Sequence, residues 1–472
     1  MHYDLIVIGA GSAGLYISIA MNQLGFKVLL IDREEIRFGG DCLNDGCVPS
    51  KSLIHVARMV HHARKSRDFG LAVSGKADLQ KVMNYVYERQ DQIRAHENPA
   101  HLQGEGIATL IGEASFIDNN TVKVNEKIYR AKRFVIATGS RPIIPDINGL
   151  DQADYLTNES IFELQHLPKK LLVVGGGPLG IELAQAFARL GTEVAVVTDG
   201  DRILEKEERE MSHILQNKLE EEGLRFHFNA SCQAFVSGSE ALIKRKDGSS
   251  FHLRFDKVLF AVGRQLSHHG LNLQAAGIEQ EKGKIKLNKY LQTTNPKVFV
   301  AGDAAGQLKF SHASELHGKL LLNNFLSPLK KKISYRHFSW VTFTDPEVAT
   351  FGLNEVQLRQ QKIKYERLVL NFDEDDRAVI EDYRYGRLIL YTSKAHHPLS
   401  STKIYGGSMM APHAGEMVQE LILADAAGIG SSKIFDKIYP YPVASRVNQG
   451  IFLERTLSHI GPAIRKMLRW LY

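Results

Sequence analysis

The stretch YDLIVIGAGSAG, residues 3–14, decides the fold. A short apolar run from Tyr3 to Ile8 enters Gly9-x-Gly11-x-x-Gly14, a helix-like segment follows, and a second apolar run, Val28 to Ile31, ends at Asp32. Each glycine has its own task. Gly9 allows the tight turn, Gly11 lets a pyrophosphate approach the backbone, Gly14 lets helix and strand pack closely, and Asp32 is placed to accept from a ribose hydroxyl. The glycines alone would be a weak signal; the strand before, the helix after and the acid at this distance make them specific.

The pattern recurs downstream. Leu171 to Val174 lead into Gly175-x-Gly177-x-x-Gly180, then helical spacing through Ile181, Ala184 and Phe187, then the strand Val194 to Val197. Two Rossmann-like dinucleotide-binding domains in one chain imply an α/β fold. The second unit continues into Thr198-Asp199-Gly200-Asp201-Arg202, where an acid selects NAD and an arginine holds the 2′-phosphate of NADP. Asp199 leans toward NADH, while Arg202 reads equally as a solvated surface charge.

Between the two fingerprints lies GGDCLNDGCVPSK, residues 39–51, with Cys42 and Cys47 in a CxxxxC spacing. The intervening residues give the chain enough slack to bring two sulfurs to bonding distance, a geometry most random pairs cannot reach. Pro49 fits the first turn of a helix running through Leu53, Val56, Ala57 and Val60. Cys47 therefore sits near the positive end of that helix, which lowers a thiol pKa. A zinc half-site or a static clip is the alternative. Structural zinc needs four ligands, however, and Cys232 is the only other cysteine, so no metal site is expected.

Bulk composition narrows the function classes. With 472 residues, 44% apolar and 24% charged, the chain should form about three domains. Its net charge of +6 is spread thinly, with no basic run interleaved with aromatics, so nucleic acid is not an expected partner. Three cysteines and no charged leader point to a reducing cytoplasm, where a disulfide is more often catalytic than structural. No apolar stretch is long enough to span a bilayer.

Further motifs carry a family resemblance over nearly the whole chain. These are Ala137-Thr138-Gly139-Ser140 after a strand, Val262-Gly263-Arg264, VFVAGDAAG at 298–306 and FTDPEVATFG at 343–352. With GGxCLNxGCxPSK they resemble the class I pyridine nucleotide-disulfide oxidoreductases, the group of dihydrolipoamide dehydrogenase, glutathione reductase and mercuric reductase. Its architecture is most similar to dihydrolipoamide dehydrogenase. The resemblance implies FAD on the first fingerprint with Ala137, Thr138, Gly139, Gly302 and Asp303, and NAD(P)H on the second with Gly263 and Arg264. It also implies a redox-active Cys42–Cys47 disulfide in which Cys47 faces the flavin and Cys42 attacks the substrate. Lys51 resembles the lysine beside the flavin N5 and Glu182 its ion-pair partner. The implied organisation is a homodimer with an FAD domain over 1–149 and 266–334, an NAD(P) domain over 150–265, a dimerisation domain over 335–450 and a tail over 451–472. The region from Ser52 to Glu97 reads as two long helices.

Two departures stand out. Lipoamide and glutathione reductases end in a His-Pro-Thr segment whose histidine is oriented by a glutamate; here Tyr441 and Arg446 occupy those positions. A phenol with pKa about 10 is ionised in about one molecule in a thousand at pH 7, so Tyr441 can donate but cannot serve as a resting base. His312 and His413 are candidate replacements, though a single His on a helix or turn is more often structural. An interface tyrosine is similar to mercuric reductase, whose late cysteine pair and fingerprint tyrosine are absent here, the latter position being Pro178. That leaves a metal-ion or quinone reductase, or a non-turnover redox sensor, as alternatives to a reductase of small disulfides. The tail sets Leu453, Leu457, Ile460, Ile464, Met467, Leu468 and Leu471 against Arg455, Arg465, Lys466 and Arg469, a basic amphipathic pattern that suits subunit packing or a weak membrane-surface contact.

Overall fold

The computed structural model describes residues 2–397 and 400–472, without the side chains of 463, 464 and 468. The apolar stripe read at Ile464 and Leu468 therefore lies outside the described residues. The chain folds into two compact units, one of residues 1–175, 186–197 and 231–333, the other of 176–185, 198–230 and 334–472.

In the first unit the fingerprint strand His2–Ile8 lies between Val28–Asp32 and Lys127–Ile136, parallel to both, and Ala108–Ile111 extends the sheet beyond Val28–Asp32. These runs are apolar on consecutive residues because both faces are covered: Ile6, Val7, Leu30, Val135 and Ile136 are fully buried. Val298–Val300 joins the same sheet beside Lys127–Ile136, delivering Gly302 and Asp303 to the edge where the first glycine turn begins. A second parallel sheet runs Glu193–Val197, Lys170–Val174, Lys257–Phe260 and Tyr155–Leu156. The expected helical insert is present as Cys47–Lys65 and Leu79–Glu97, the latter capped by the Asp78 side chain accepting from the amides of Gln80 and Lys81.

The second unit is built on an antiparallel sheet in the order Ser339–Thr342, Glu347–Gly352, Ile404–Ala411, Arg387–Thr392, Glu366–Asn371. Its core packs Phe351, Phe372, Tyr383 and Met409 against Leu421, Ile451 and Phe452 of the following helices. Residues 198–230 belong here for a physical reason. Glu207 is buried and accepts from Trp340 Nε1 and Thr350 Oγ1, both at 2.5 Å, while Glu210 pairs with Arg367 and Arg387. Compactness separates two bodies, and the second begins its last segment at Ser334. The region read as a tail also divides. Ile451, Phe452 and Arg455 on helix Val447–His459 are buried, Arg455 beside Glu366 at 3.3 Å, and a separate helix, Pro462–Leu471, begins at a proline, which suits a first helical turn.

Candidate active site

The first glycine turn is built around close approaches. Gly9 has φ +108°, and a Cβ on it would stand 2.3 Å from the Ala137 carbonyl oxygen; on Gly14 it would stand 1.8 Å from the oxygen of Gly9. Asp32, at the end of its strand, accepts from the Ala10 amide at 2.6 Å and the Arg33 amide at 2.7 Å, and burial pushes its carboxyl up. The cysteine segment is docked directly on this turn: the Gly39 amide donates to the Ala10 carbonyl at 3.0 Å, and Gly40, with φ +62°, leaves no room for a Cβ 2.5 Å from Gly11 Cα. Sequence neighbours of the redox pair are therefore spatial neighbours of the first fingerprint.

Cys42 lies on the short helix Gly40–Asn44, and Cys47 opens Cys47–Lys65, so its sulfur stands at a helix N-terminus. Both are free thiols, as is buried Cys232. The pair shares a hydrogen bond that holds Cys47 down to about 6, aided by the Ser311 hydroxyl at 3.2 Å and the Lys51 ammonium against the opposing cost of burial. The same bond, with burial, pushes Cys42 far up. The two thiols are thus shifted in opposite directions, Cys47 toward the thiolate and Cys42 toward the protonated thiol. Lys51 sits one turn along the same helix, its Nζ donating to Ser50 Oγ at 3.3 Å.

Arg264 makes several polar contacts within the first unit. Its Nε donates to Ser140 Oγ at 2.7 Å, and its Nη2 donates to the Ser140 carbonyl at 2.9 Å and to Asp41 Oδ1 at 2.8 Å. Ser140 Oγ in turn donates to Asp303 Oδ2 at 2.6 Å, and Asn158 Nδ2 donates to Asp41 Oδ1 at 3.1 Å. A chain of polar contacts thus joins the residue before Cys42 to Asp303, whose carboxyl is pushed up by burial. Asp45 is pushed up to about 6 by burial and by the Asp41 and Glu159 carboxylates, against the pull of its partner Arg37. Sequence reasoning missed His317. It is fully buried, accepts from the Gly302 amide through Nδ1 at 3.1 Å, and burial pushes it down to about 4. Its place two turns along the helix from Ser311 and the Gly302-Asp303 motif is the only sequence trace of that role.

Gly263 has φ +123° and precedes the Arg264–Leu266 strand paired with Ser140–Pro142; Gly175 has φ +121° at the end of Lys170–Val174. In the second unit, Gly177 and Gly180 flank Pro178, the first residue of helix Pro178–Leu190. Glu182 on that helix is buried and accepts from the Phe343 amide at 2.8 Å, so it is no solvated surface acid. Asp199 is exposed, whereas Arg202 is held by Asp201 at 2.9 Å and the Glu205 carbonyl at 2.7 Å. Tyr441 is exposed with the Arg446 guanidinium 5.7 Å from its ring centroid. Of the two candidate histidines, His312 is exposed on its helix, and His413, with φ +57°, precedes helix Ala414–Met417 and accepts from its backbone.

The donor set fits a dinucleotide. Thr138 Oγ1 is buried without a hydrogen-bond partner among the described residues, and a Cβ on adjacent Gly139 would meet nothing within 4 Å. A Cβ on Gly177 likewise meets open space. Among the described residues there is no cluster of metal ligands, and no helix is long and apolar enough to cross a membrane.

Comparison with known proteins agrees with this geometry. Residues 3–318 match the pyridine nucleotide-disulphide oxidoreductase family and residues 338–449 its dimerisation domain. The chain is 32% identical to a mercuric reductase of Staphylococcus aureus, over 93% of this chain and 80% of that one. It is 31% identical to a dihydrolipoyl dehydrogenase of Mycoplasma pneumoniae, over 97% of this chain and all of that one. In fold it is similar to the HOCl-induced flavoprotein disulfide reductase RclA of Escherichia coli, with TM-score 0.84, 24% identity, and coverage of 96% and 99% of the two chains.

Proposed function

The chain belongs to the pyridine nucleotide-disulphide oxidoreductase family, and on that premise we propose that it transfers two electrons from NADH to a small disulfide through Cys47 and Cys42. Membership makes it an FAD-dependent, NAD(P)H-linked flavoprotein disulfide oxidoreductase, and the dimerisation domain makes it a homodimer. The observation that carries the proposal is the Cys42–Cys47 pair docked on the first glycine turn, with the Cys47 sulfur at a helix N-terminus and 3.2 Å from Ser311 Oγ, a setting that favours its thiolate. Preference for NADH is supported by Asp199 at the end of the second fingerprint and by the engagement of Arg202 with Asp201 and Glu205.

FAD, when bound, supplies the two-electron relay between nicotinamide and disulfide. Gly9, Gly11, Gly14, Asp32, Ala137, Thr138, Gly139, Gly302 and Asp303 would hold it; Gly175, Gly177, Gly180, Asp199 and Gly263 would hold the nicotinamide nucleotide. In the reduced pair the Cys42 proton moves along the shared hydrogen bond to Cys47, leaving Cys42 as the attacking thiolate. Cys42 displaces one sulfur of the substrate disulfide to form a mixed disulfide; that sulfur leaves as a thiolate and takes a proton. The proton now on Cys47 passes to that departing sulfur, and the Cys47 thiolate attacks Cys42 Sγ, breaking the mixed disulfide, closing the Cys42–Cys47 bond and expelling the second sulfur as a thiolate that takes a proton from water. Lys51 offsets the negative charge on the Cys47 side. Tyr441, close to Arg446, is the proposed hydrogen-bond donor to the departing sulfur.

Lipoamide is the substrate suggested by the dihydrolipoyl dehydrogenase relatives. A second reading, a metal-ion or quinone reductase, is favoured by the tyrosine at 441 and by mercuric reductase relatives at 32% identity. An acceptor screen with lipoamide, quinone, Cu(II) and Hg(II) under NADH and NADPH separates them. If the first reading holds, Tyr441→His with Arg446→Glu raises lipoamide turnover by about a hundredfold, the lower end for general acid–base catalysis. An unchanged rate, or faster turnover of metal ions than of disulfides by the parent enzyme, overturns it.

A further inference from the structure

Helix Pro462–Leu471 has no part in the redox chemistry, and its surface is sharply divided. From Arg455 to Tyr472 there is not one Asp or Glu. Arg465, Lys466 and Arg469 are exposed, and so are Met467, Trp470, Leu471 and Tyr472, with Trp470 at 83% and Leu471 at 65% of full exposure. At about 100° per residue, Arg465, Arg469 and Lys466 occupy one arc of about 100°, and Trp470, Met467 and Leu471 the opposite arc. Arg455, by contrast, is buried beside Glu366 on the preceding helix, so the exposed Lys and Arg side chains between residues 455 and 472 lie on this helix.

We propose that helix Pro462–Leu471 is a membrane-surface anchor that lies in the headgroup region of an anionic lipid bilayer. Three features of the helix argue for this occupant. An isolated helix of ten residues is marginal in water, so its stability depends on covering the apolar arc. The bases without any acid complement a surface of anionic headgroups, and a symmetric pairing with a second copy would set like charges side by side. An exposed tryptophan at the seam between the apolar and basic arcs is suited to the boundary between headgroups and acyl chains. A homodimer carries two such helices, so the second inserts at high effective concentration once the first is bound. The inference is independent of the electron acceptor.

The test is sedimentation of the full-length holoenzyme with vesicles of phosphatidylcholine alone and of a two-to-one mixture of phosphatidylcholine and phosphatidylglycerol. The expected result is binding about 10–100-fold tighter to the mixed vesicles, weakened by high salt. Arg465→Glu with Lys466→Glu and Arg469→Glu should abolish that preference, and Trp470→Ser with Leu471→Ser should abolish binding to both, each with NADH oxidation and dimer mass unchanged. Equal binding to the two vesicle types, no binding to either, or conversion to monomer in the serine variant, which would make the helix a subunit contact, each overturns the proposal.

Discussion

Removing the Ser311 hydroxyl tests the origin of the Cys47 thiolate. Ser311 Oγ lies 3.2 Å from Cys47 Sγ, and the Cys42 thiol, the Lys51 ammonium and the helix N-terminus supply the remaining support. A hydrogen bond to a charged group is worth about 1.5–3 kcal/mol when shielded; solvent on the open side of Cys47 reduces this to about 1 kcal/mol, or about 0.7 in pKa. Ser311→Ala should therefore move the Cys47 midpoint from about 6 to between about 6.5 and 7. At pH 6 the thiolate fraction then falls roughly threefold, whereas at pH 8 it stays above about nine-tenths. The assay is the iodoacetamide alkylation rate of Cys47 in the reduced holoenzyme, read by peptide mass spectrometry across pH, with Ser311→Thr as the hydroxyl-retaining control. Because the folded pKa is depressed, the associated stability is present above the unfolded value of about 9 and is lost as pH falls through about 6. A Ser311→Ala profile superimposable on the parent, or slowed equally at every pH, would refute the reasoning.

Asp41 and Arg264 should act on Cys47 with opposite signs: Asp41→Asn lowers its midpoint and Arg264→Gln, which leaves Asp41 unbalanced, raises it, a pattern that simple loss of structure cannot produce and that the same alkylation profile reads. His317→Ala strands the buried Gly302 amide and should cost about 1–3 kcal/mol in urea unfolding, together with FAD content, while His317→Gln retains much of both. With its pKa depressed to about 4, His317 contributes about 3 kcal/mol that is complete above about 6.5 and is lost as pH falls toward 4, a slope that the alanine variant should lack. Glu207 is raised by burial, so its contribution is complete below the ordinary carboxylate range and lost as pH rises; Glu207→Gln should unfold at an equal or higher temperature at pH 8, and Glu207→Ala at a lower one.

Much of the fold and of the cofactor turns could be read from sequence, because those features are local. The glycine spacing at Gly9, Gly11 and Gly14 records contacts within a single strand–turn–helix unit, and Pro49 records the first turn of the helix that Cys47 opens. The rest depends on residues brought together from far along the chain. Arg264 is legible from its motif, but its contacts with Asp41, Ser140 and Asn158 come from far along the chain. His317 resembles any helical histidine until Gly302 is placed against it. Glu182 is singled out by its place after Gly180, but nothing local shows that the Phe343 amide will meet it. Arg455 belongs to a basic stripe by spacing, yet Glu366 draws it inward, and nothing in the local pattern of 198–230 shows that Trp340 and Thr350 will enclose Glu207.

The account stands on Cys47 being the thiolate of the reduced pair. Anaerobic titration of the FAD-loaded dimer with NADH, followed by absorbance at long wavelength, reads this directly. A thiolate-to-flavin band should appear in the parent and persist in Cys42→Ser but be absent in Cys47→Ser; a band retained in Cys47→Ser, or none in the parent, would contradict it.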